Sequence, residues 1–324
     1  MFSSAHYFSE PLVSFVVPLY NTGDSLHRLL EAFRFLPIKE GYELVLVNDA
    51  SPDGTGSRVA AMMASLPYRA VLIDMAKNFG EHAAVLEGYR HARGKFIVNL
   101  DDDLQNPVEE ALRLVDHLQK HDCDVVYTWF AEKKHHPLRN FGSWFTNYAA
   151  SLLLEKPKDL YLSSFRGLRR EILESITAYR GPYPYIDGLI LGATHRIDRL
   201  QVRHEARSQG SSGYTFRKLV RLWMNMFFNF SVMPLRFAGI LGLLLCALGA
   251  VMLLVVVVEQ LVYGIPIAGY ASLMVAVSLF SGAQLLILGV IGEYIGRTYL
   301  TVAGRPQSLV RSVRRHDPAV LSTL

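Results

Sequence analysis

Between Lys95 and Pro107 the chain reads K-F-I-V-N-L-D-D-D-L-Q-N-P, a short apolar run that ends in three consecutive carboxylates. Asp101, Asp102 and Asp103 repel one another at this spacing, and a divalent cation is the simplest thing that relieves them. Hard cations such as Mg²⁺ take oxygen ligands and are held by one or two carboxylates plus substrate phosphates. Asp101, Asp103 and the carbonyl of Gln105 supply such oxygens at alternating positions. A second polar stretch, N-D-A-S-P-D-G-T (48–55), holds Asp49 and Asp53, which could bind a ribose or a base edge or simply cap the next helix. No G-x-G-x-x-G or G-x-x-x-x-G-K-[ST] pattern is present. Without a Gly-rich phosphate cradle, a metal on carboxylates is the more natural grip on a diphosphate.

These groups need elements to hold them. Phe96 to Leu100 is apolar and β-branched, as expected of a strand buried on both faces, and Pro107 with Glu109 and Glu110 opens a helix. Leu12–Leu19, Tyr42–Asn48 and Ala70–Asp74 read as further buried strands. Between them lie a helix bearing Leu26, Leu29, Leu30 and Phe33 on one face and a helix from Glu81 to Ala92, which follows Lys77-Asn78-Phe79-Gly80. Strand and helix alternate, which predicts an α/β fold with a mostly parallel, doubly wound sheet. In such sheets ligands bind outside the carboxyl ends of the strands, where both acidic loops fall.

The hydrophobic fraction of 51% is high for a purely soluble chain, and the excess is local. Residues 237–258 carry no charge over 22 positions, enough to cross a hydrocarbon core of about 30 Å. Residues 271–291 form a second such span, with Tyr263, Gly264, Pro266 and Gly269 as the turn. Arg217, Lys218, Arg221 and Arg236 precede the hairpin, and Arg297, Arg305, Arg311, Arg314 and Arg315 follow it; the link carries only Glu259. This asymmetry predicts that both ends are cytoplasmic, with no secretory signal at the start. Cys123 and Cys246 give no disulfide framework. The net charge of +4 is concentrated beside the spans, which favours anionic lipid and not nucleic acid.

V-V-P-L-Y-N (16–21), V-N-D-A-S-P-D-G-T (47–55), K-N-F-G-E-H-A-A-V-L-E-G (77–88) and L-D-D-D-L-Q-N-P (100–107) resemble the inverting glycosyltransferases of family 2, which have a GT-A fold. With H-E-A-R-S-Q-G-S-S-G-Y (204–214), M-P-L-R (233–236) and G-E-Y-I-G-R-T-Y (292–299), the chain is similar to the polyisoprenyl-phosphate glycosyltransferases. The resemblance implies a nucleotide-sugar donor, a polyisoprenyl phosphate acceptor and a Mg²⁺ or Mn²⁺ cofactor at the inner membrane of a bacterium. It assigns the nucleotide sugar to Pro18, Tyr20, Asn21, Asp49, Asn78, Asp101 and Asp102, and the metal to Asp103 and Gln105. It places Arg139, Ser143 and Arg207 on the lipid phosphate, with Asp101, Asp103, Arg139 and Arg207 as the catalytic set. Lys133 lies where relatives carry Arg, giving a point charge for a bidentate grip.

A lipid phosphate is an anion at neutral pH and attacks an anomeric carbon without a protein base, so a single displacement inverts the configuration. The expected organisation is a catalytic domain over 1–213, an interfacial amphipathic helix over 214–235, a transmembrane hairpin over 236–292 and a basic cytoplasmic tail over 293–324. Gly239, Gly242, Gly249, Gly282, Gly289 and Gly292 permit close helix approach and suggest a homo-oligomer, with a tetramer implied by similar bacterial enzymes.

Overall fold

A computed structural model describes residues 10–38, 41–130, 157, 160–203, 233–263, 269–304 and 307–318. The expectations for Lys133, Arg139, Ser143 and Arg207, and those for the helix over 214–232, lie outside these residues. The chain forms two units, Met1–Thr215 with Pro306–Leu324, and Phe216–Arg305.

The first unit is built on strands β1 (Val13–Leu19), β2 (Tyr42–Asn48), β3 (Arg69–Met75), β4 (Phe96–Asn99), β5 (Val125–Trp129), β6 (Arg166–Arg169), β7 (Ile197–Gln201) and β8 (Val310–His316). They make one eight-stranded sheet in the order β7-β5-β6-β4-β1-β2-β3-β8. Pairs β1–β2, β1–β4, β2–β3 and β5–β7 are parallel, while β6 and β8 pair antiparallel. Both faces are covered, as continuous apolar strands require. One face holds α1 (Ser25–Ala32), α2 (Thr55–Met63) and α4 (Val108–Lys120), packed on Phe15, Val17, Leu44 and Val98. The other holds α3 (Glu81–His91), α5 (Arg170–Thr177) and α6 (Ile186–Ala193), packed on Val16, Val45, Val71 and Ile97. Alternate residues of β1 therefore serve alternate layers, following the period-2 geometry of a strand.

The C-terminal segment departs from the expected basic tail. Val310–His316 is a strand that pairs with β3, from Ala70↔His316 to Met75↔Val310. Ser308 donates to Glu87 at 2.8 Å, Gln307 binds the Tyr179 carbonyl at 3.1 Å, and Arg69 pairs with Asp317 at 3.0 Å. Its arginines had pointed to a tail, yet charged residues are what an edge strand uses to refuse further partners.

The second unit holds helices α7 (Met233–Tyr263) and α8 (Tyr270–Val302), both long and apolar enough to cross a membrane. Their apolar side chains are solvent-facing, with Leu243 71% and Leu285 69% exposed, which suits a lipid surround. At about 1.5 Å per residue each is longer than a 30 Å core needs, so the spans expected over 237–258 and 271–291 are parts of longer helices. In α8 the helix continues past Gly292 through an Arg297–Glu293 pair, an i,i+4 contact that keeps both charges compensated. A Cβ on Gly249 would meet Phe280 at 3.2 Å and one on Gly242 would meet Ile287 at 3.6 Å, so these two glycines let the hairpin pack on itself.

Candidate active site

The chain runs from β1 outward to β2 and β3, then returns to the other side of β1 as β4. That reversal opens a crevice at the carboxyl ends of β1 and β4. The loops 20–24 and 100–105 meet there, joined by Thr22 Oγ1 donating to Asp102 Oδ2 at 2.6 Å. Asn21, Ala50 and Leu104, each at the tip of one of these strands or of β2, have positive φ of 53°, 51° and 56°. Left-handed non-glycine backbone costs on the order of 1 kcal/mol per residue and collects at ligand sites.

The acidic tip is held from both sides. Ser164 Oγ donates to Asp101 Oδ2 at 2.6 Å, Thr22 holds Asp102, and the Gln105 N–H donates to Asp103 Oδ1 at 3.1 Å. Asn99, buried at the end of β4, donates to the Ser164 carbonyl at 2.9 Å and so fixes the residue that holds Asp101. Burial raises the Asp101 carboxyl to about 6, with Asp103 and Asp102 adding to the rise and the Ser164 bond opposing it. Asp102 is raised by burial as well. Asp101 and Asp102 are thus oriented by neutral hydroxyls that leave their charge in place. Such a donor set fits a hard divalent cation, which takes one or two carboxylates and completes its shell with phosphate and water. The three carboxylates do not form a closed three-ligand cage.

Asp49 lies buried just past the end of β2. It is 3% exposed, and its oxygens accept the Phe79 N–H at 2.8 Å and the Gly80 N–H at 2.9 Å. Its carboxylate therefore clasps the loop that opens α3, where Gly80 has φ 93°. Asp53 behaves as a cap, accepting the Thr55 N–H at 3.0 Å and the Thr55 hydroxyl at 2.7 Å. Tyr20 (49% exposed) and Asn78 are exposed on their loops, Pro18 is half-buried within β1, and the Asn21 N–H donates to Ser51 Oγ at 3.2 Å.

Below the tip lies a polar group that the sequence did not single out. Arg166 on β6 is fully buried and pairs with Asp187 at the start of α6; Tyr127 donates to the same Asp187 Oδ1 at 2.8 Å. Arg166 acts electrostatically on Asp101 and on Glu81. Glu81, the first residue of α3, is raised to about 7 by desolvation, with Asp101 adding to the rise. His82 packs edge-on against Tyr185 at 5.0 Å, and burial lowers it to about 4.

The model of glycosyl transferase family 2 matches residues 14–177. The undecaprenyl-phosphate 4-deoxy-4-formamido-L-arabinose transferase of Pseudomonas fluorescens (strain Pf0-1) is 32% identical over 316 residues, 95% of this chain and 91% of that protein. The protein of the same name from Shewanella sediminis is 32% identical over 305 residues, 93% and 92% of the two chains. Among solved structures, glucosyl-3-phosphoglycerate synthase from Mycobacterium tuberculosis, in complex with Mn²⁺, uridine diphosphate and glucosyl-3-phosphoglycerate, superposes with a TM-score of 0.50. It shares 16% identity, over 68% of this chain and 79% of that one, and supports the fold alone. A matched family model over half the chain, and relatives aligned across nearly all of it, place this protein in glycosyl transferase family 2, among its polyisoprenyl-phosphate glycosyltransferases.

Proposed function

We propose that the enzyme transfers a sugar from a nucleotide sugar to a polyisoprenyl phosphate, with inversion at the anomeric carbon, at the cytoplasmic face of a bacterial inner membrane. The observation that carries this reading is the supported three-aspartate tip at the switch point of the sheet, in a chain that also holds two membrane-length apolar helices. Relatives named for undecaprenyl phosphate align over both parts, which supports the same acceptor class here.

Asp103 and Gln105, with Asp101 beside them, would hold Mg²⁺ or Mn²⁺, and the bound cation would stabilise charge on the departing nucleoside diphosphate. The protein's own share is positioning. Tyr20 offers an open ring for the base, Pro18 and Asn21 line the same loop, and Asn78 stands on the loop that Asp49 clasps. Ser164 and Thr22 keep Asp101 and Asp102 in register with the diphosphate. Arg139, Arg207, Ser143 and Lys133 are assigned to the acceptor phosphate, which they would hold in line by charge-assisted hydrogen bonds. That phosphate is already an anion, so no side chain has to remove a proton from it.

The sheet itself bears on topology. β8 follows the helical hairpin and β1–β7 precede it, yet they share one sheet, so the chain enters and leaves the bilayer on the same side. Arginine asymmetry supports a cytoplasmic placement of that side. The reading is tested with purified full-length protein in bilayers, undecaprenyl phosphate and a panel of UDP, GDP and dTDP sugars. The panel includes a donor of 4-deoxy-4-formamido-L-arabinose, the sugar in the relatives' names. A lipid-linked sugar from one donor is the expected result; transfer only to a diacylglycerol or polysaccharide acceptor would replace this reading with another family 2 activity.

A further inference from the structure

At the amino-terminal ends of β5 and β7, opposite the carboxyl-end crevice, a second set of side chains with metal-binding atoms gathers. His117 lies in the last turn of α4 and His121 one turn further; Cys123 sits in the link to β5, and Asp198 is the second residue of β7. Nitrogen, sulfur and oxygen atoms of His117, Cys123 and Asp198 all lie within 4.8 Å of one another. His117 Nε2 is 2.6 Å from Asp198 Oδ2, and the His121 ring stacks on that of His117 at 4.0 Å and 16°. We propose that His117, Cys123 and Asp198 form a site for a zinc-like divalent ion, separate from the acidic tip.

The donor set decides the class of ion. An imidazole, a thiol and a carboxylate make the mixed N, S and O shell that suits Zn²⁺, whereas Mg²⁺ and Ca²⁺ prefer oxygen throughout. The supporting bonds also suit ligation. His121 Nδ1 donates to the His117 carbonyl at 3.1 Å, which holds the ring that stacks on His117. Asp198 Oδ1 takes the Arg199 N–H at 2.8 Å, leaving Oδ2 toward His117.

Geometry sets the adjustment required. Bonds of 2.0–2.3 Å around a tetrahedral ion put ligand atoms roughly 3.3–3.8 Å apart. The His117–Asp198 contact must therefore open by more than about half an ångström and the widest separation must close by about 1 Å, shifts on the scale of small side-chain rotations. A histidine–aspartate hydrogen bond alone would account for two of these groups; it leaves unexplained a thiol at the same point. Cys123 is 5% exposed, and burial raises its thiol, so the ion would have to displace that proton, as coordinating metals do. The benefit falls on β7, an edge strand whose sheet neighbour is β5 alone, which the ion would fasten to α4.

The experiment uses the full-length protein, stripped with a chelator and titrated with Co²⁺ as the probe. The chain has two cysteines, so a thiolate-to-cobalt charge-transfer band can arise only from Cys123 or Cys246. The expected result is one Co²⁺ per chain with that band, kept in Cys246→Ser, lost in Cys123→Ser and displaced by one equivalent of Zn²⁺. Cobalt at the acidic tip would give no thiolate band, so the two sites are told apart. Because Cys123 is in the core, Asp198→Asn at the sheet edge is the second variant. It should weaken Co²⁺ binding at least tenfold while the metal-free melting temperature stays close to wild type. Absence of the band from Cys246→Ser protein, or a Co²⁺ affinity unchanged by Asp198→Asn, overturns the site.

Discussion

Arg166 and Asp187 carry full charges in the interior, and each is tolerable only beside the other. Removing one partner from such a pair costs roughly 3–5 kcal/mol, because it strands the remaining charge. Arg166→Met should therefore lower the melting temperature by on the order of 10 °C, and Arg166→Met with Asp187→Leu should recover much of it. A double variant no more stable than the single one would mean that the pair is not the source of the loss. His82 gives a prediction with a definite sign. Its folded value of about 4 lies below the ordinary 6.5, so as pH falls through 6.5 the unfolded chain takes up a proton that the folded chain refuses. Stability is lost toward acid, on the order of 1 kcal/mol per pH unit until about pH 4. Comparing the melting temperature of wild type and His82→Phe at pH 7 and pH 5 checks this. The variant should lose less on acidification, and parallel losses would contradict the assignment.

At the scale of elements, β8 is the part that local patterns concealed. V-R-S-V-R-R-H has two apolar residues in seven, and an edge strand needs no more because one of its sides is open to water. The strands β1, β2 and β3 were legible because burial on both faces forces continuous apolar runs. The aspartate tip was legible for a related reason, being a local cluster at a strand end. Its supports were not: Ser164 reaches Asp101 across 63 positions and Thr22 reaches Asp102 across 80, separations that no window of sequence displays. Asp49 stood out by its place at a strand end, but its partners, the N–H groups of Phe79 and Gly80, appear only when α3 is packed. Gly88 makes that packing possible, since a Cβ there would meet Val16 at 2.4 Å. Ending the chain after Gly304 removes β8 and leaves Ala70–Met75 as an open edge. The truncated protein should melt several degrees lower and aggregate more readily, as read by thermal unfolding with light scattering. An unchanged melting temperature would show that β8 is dispensable.

For the whole molecule, the shared sheet and the arginine distribution make one claim about the path of the chain. A cysteine placed at Gly264, in a Cys123→Ser and Cys246→Ser background, should react with an impermeant maleimide added outside intact cells. One at Ser308 should react only after the membrane is opened. Labelling in the reverse pattern would invert the topology and remove the donor site from the supply of nucleotide sugars. The central claim joins the acidic tip to the chemistry. Asp103→Asn keeps the size of the side chain and removes its charge, so it should lower turnover by on the order of 10²-fold, as loss of a major electrostatic stabiliser does. The most direct measurement is transfer of radiolabelled sugar from its nucleotide donor to undecaprenyl phosphate by wild type and Asp103→Asn, each in bilayers with Mn²⁺. The account expects a lipid-linked product from wild type and a loss of about two orders of magnitude in the variant. Equal rates from the two proteins, or a wild-type rate that persists in excess EDTA, would contradict it.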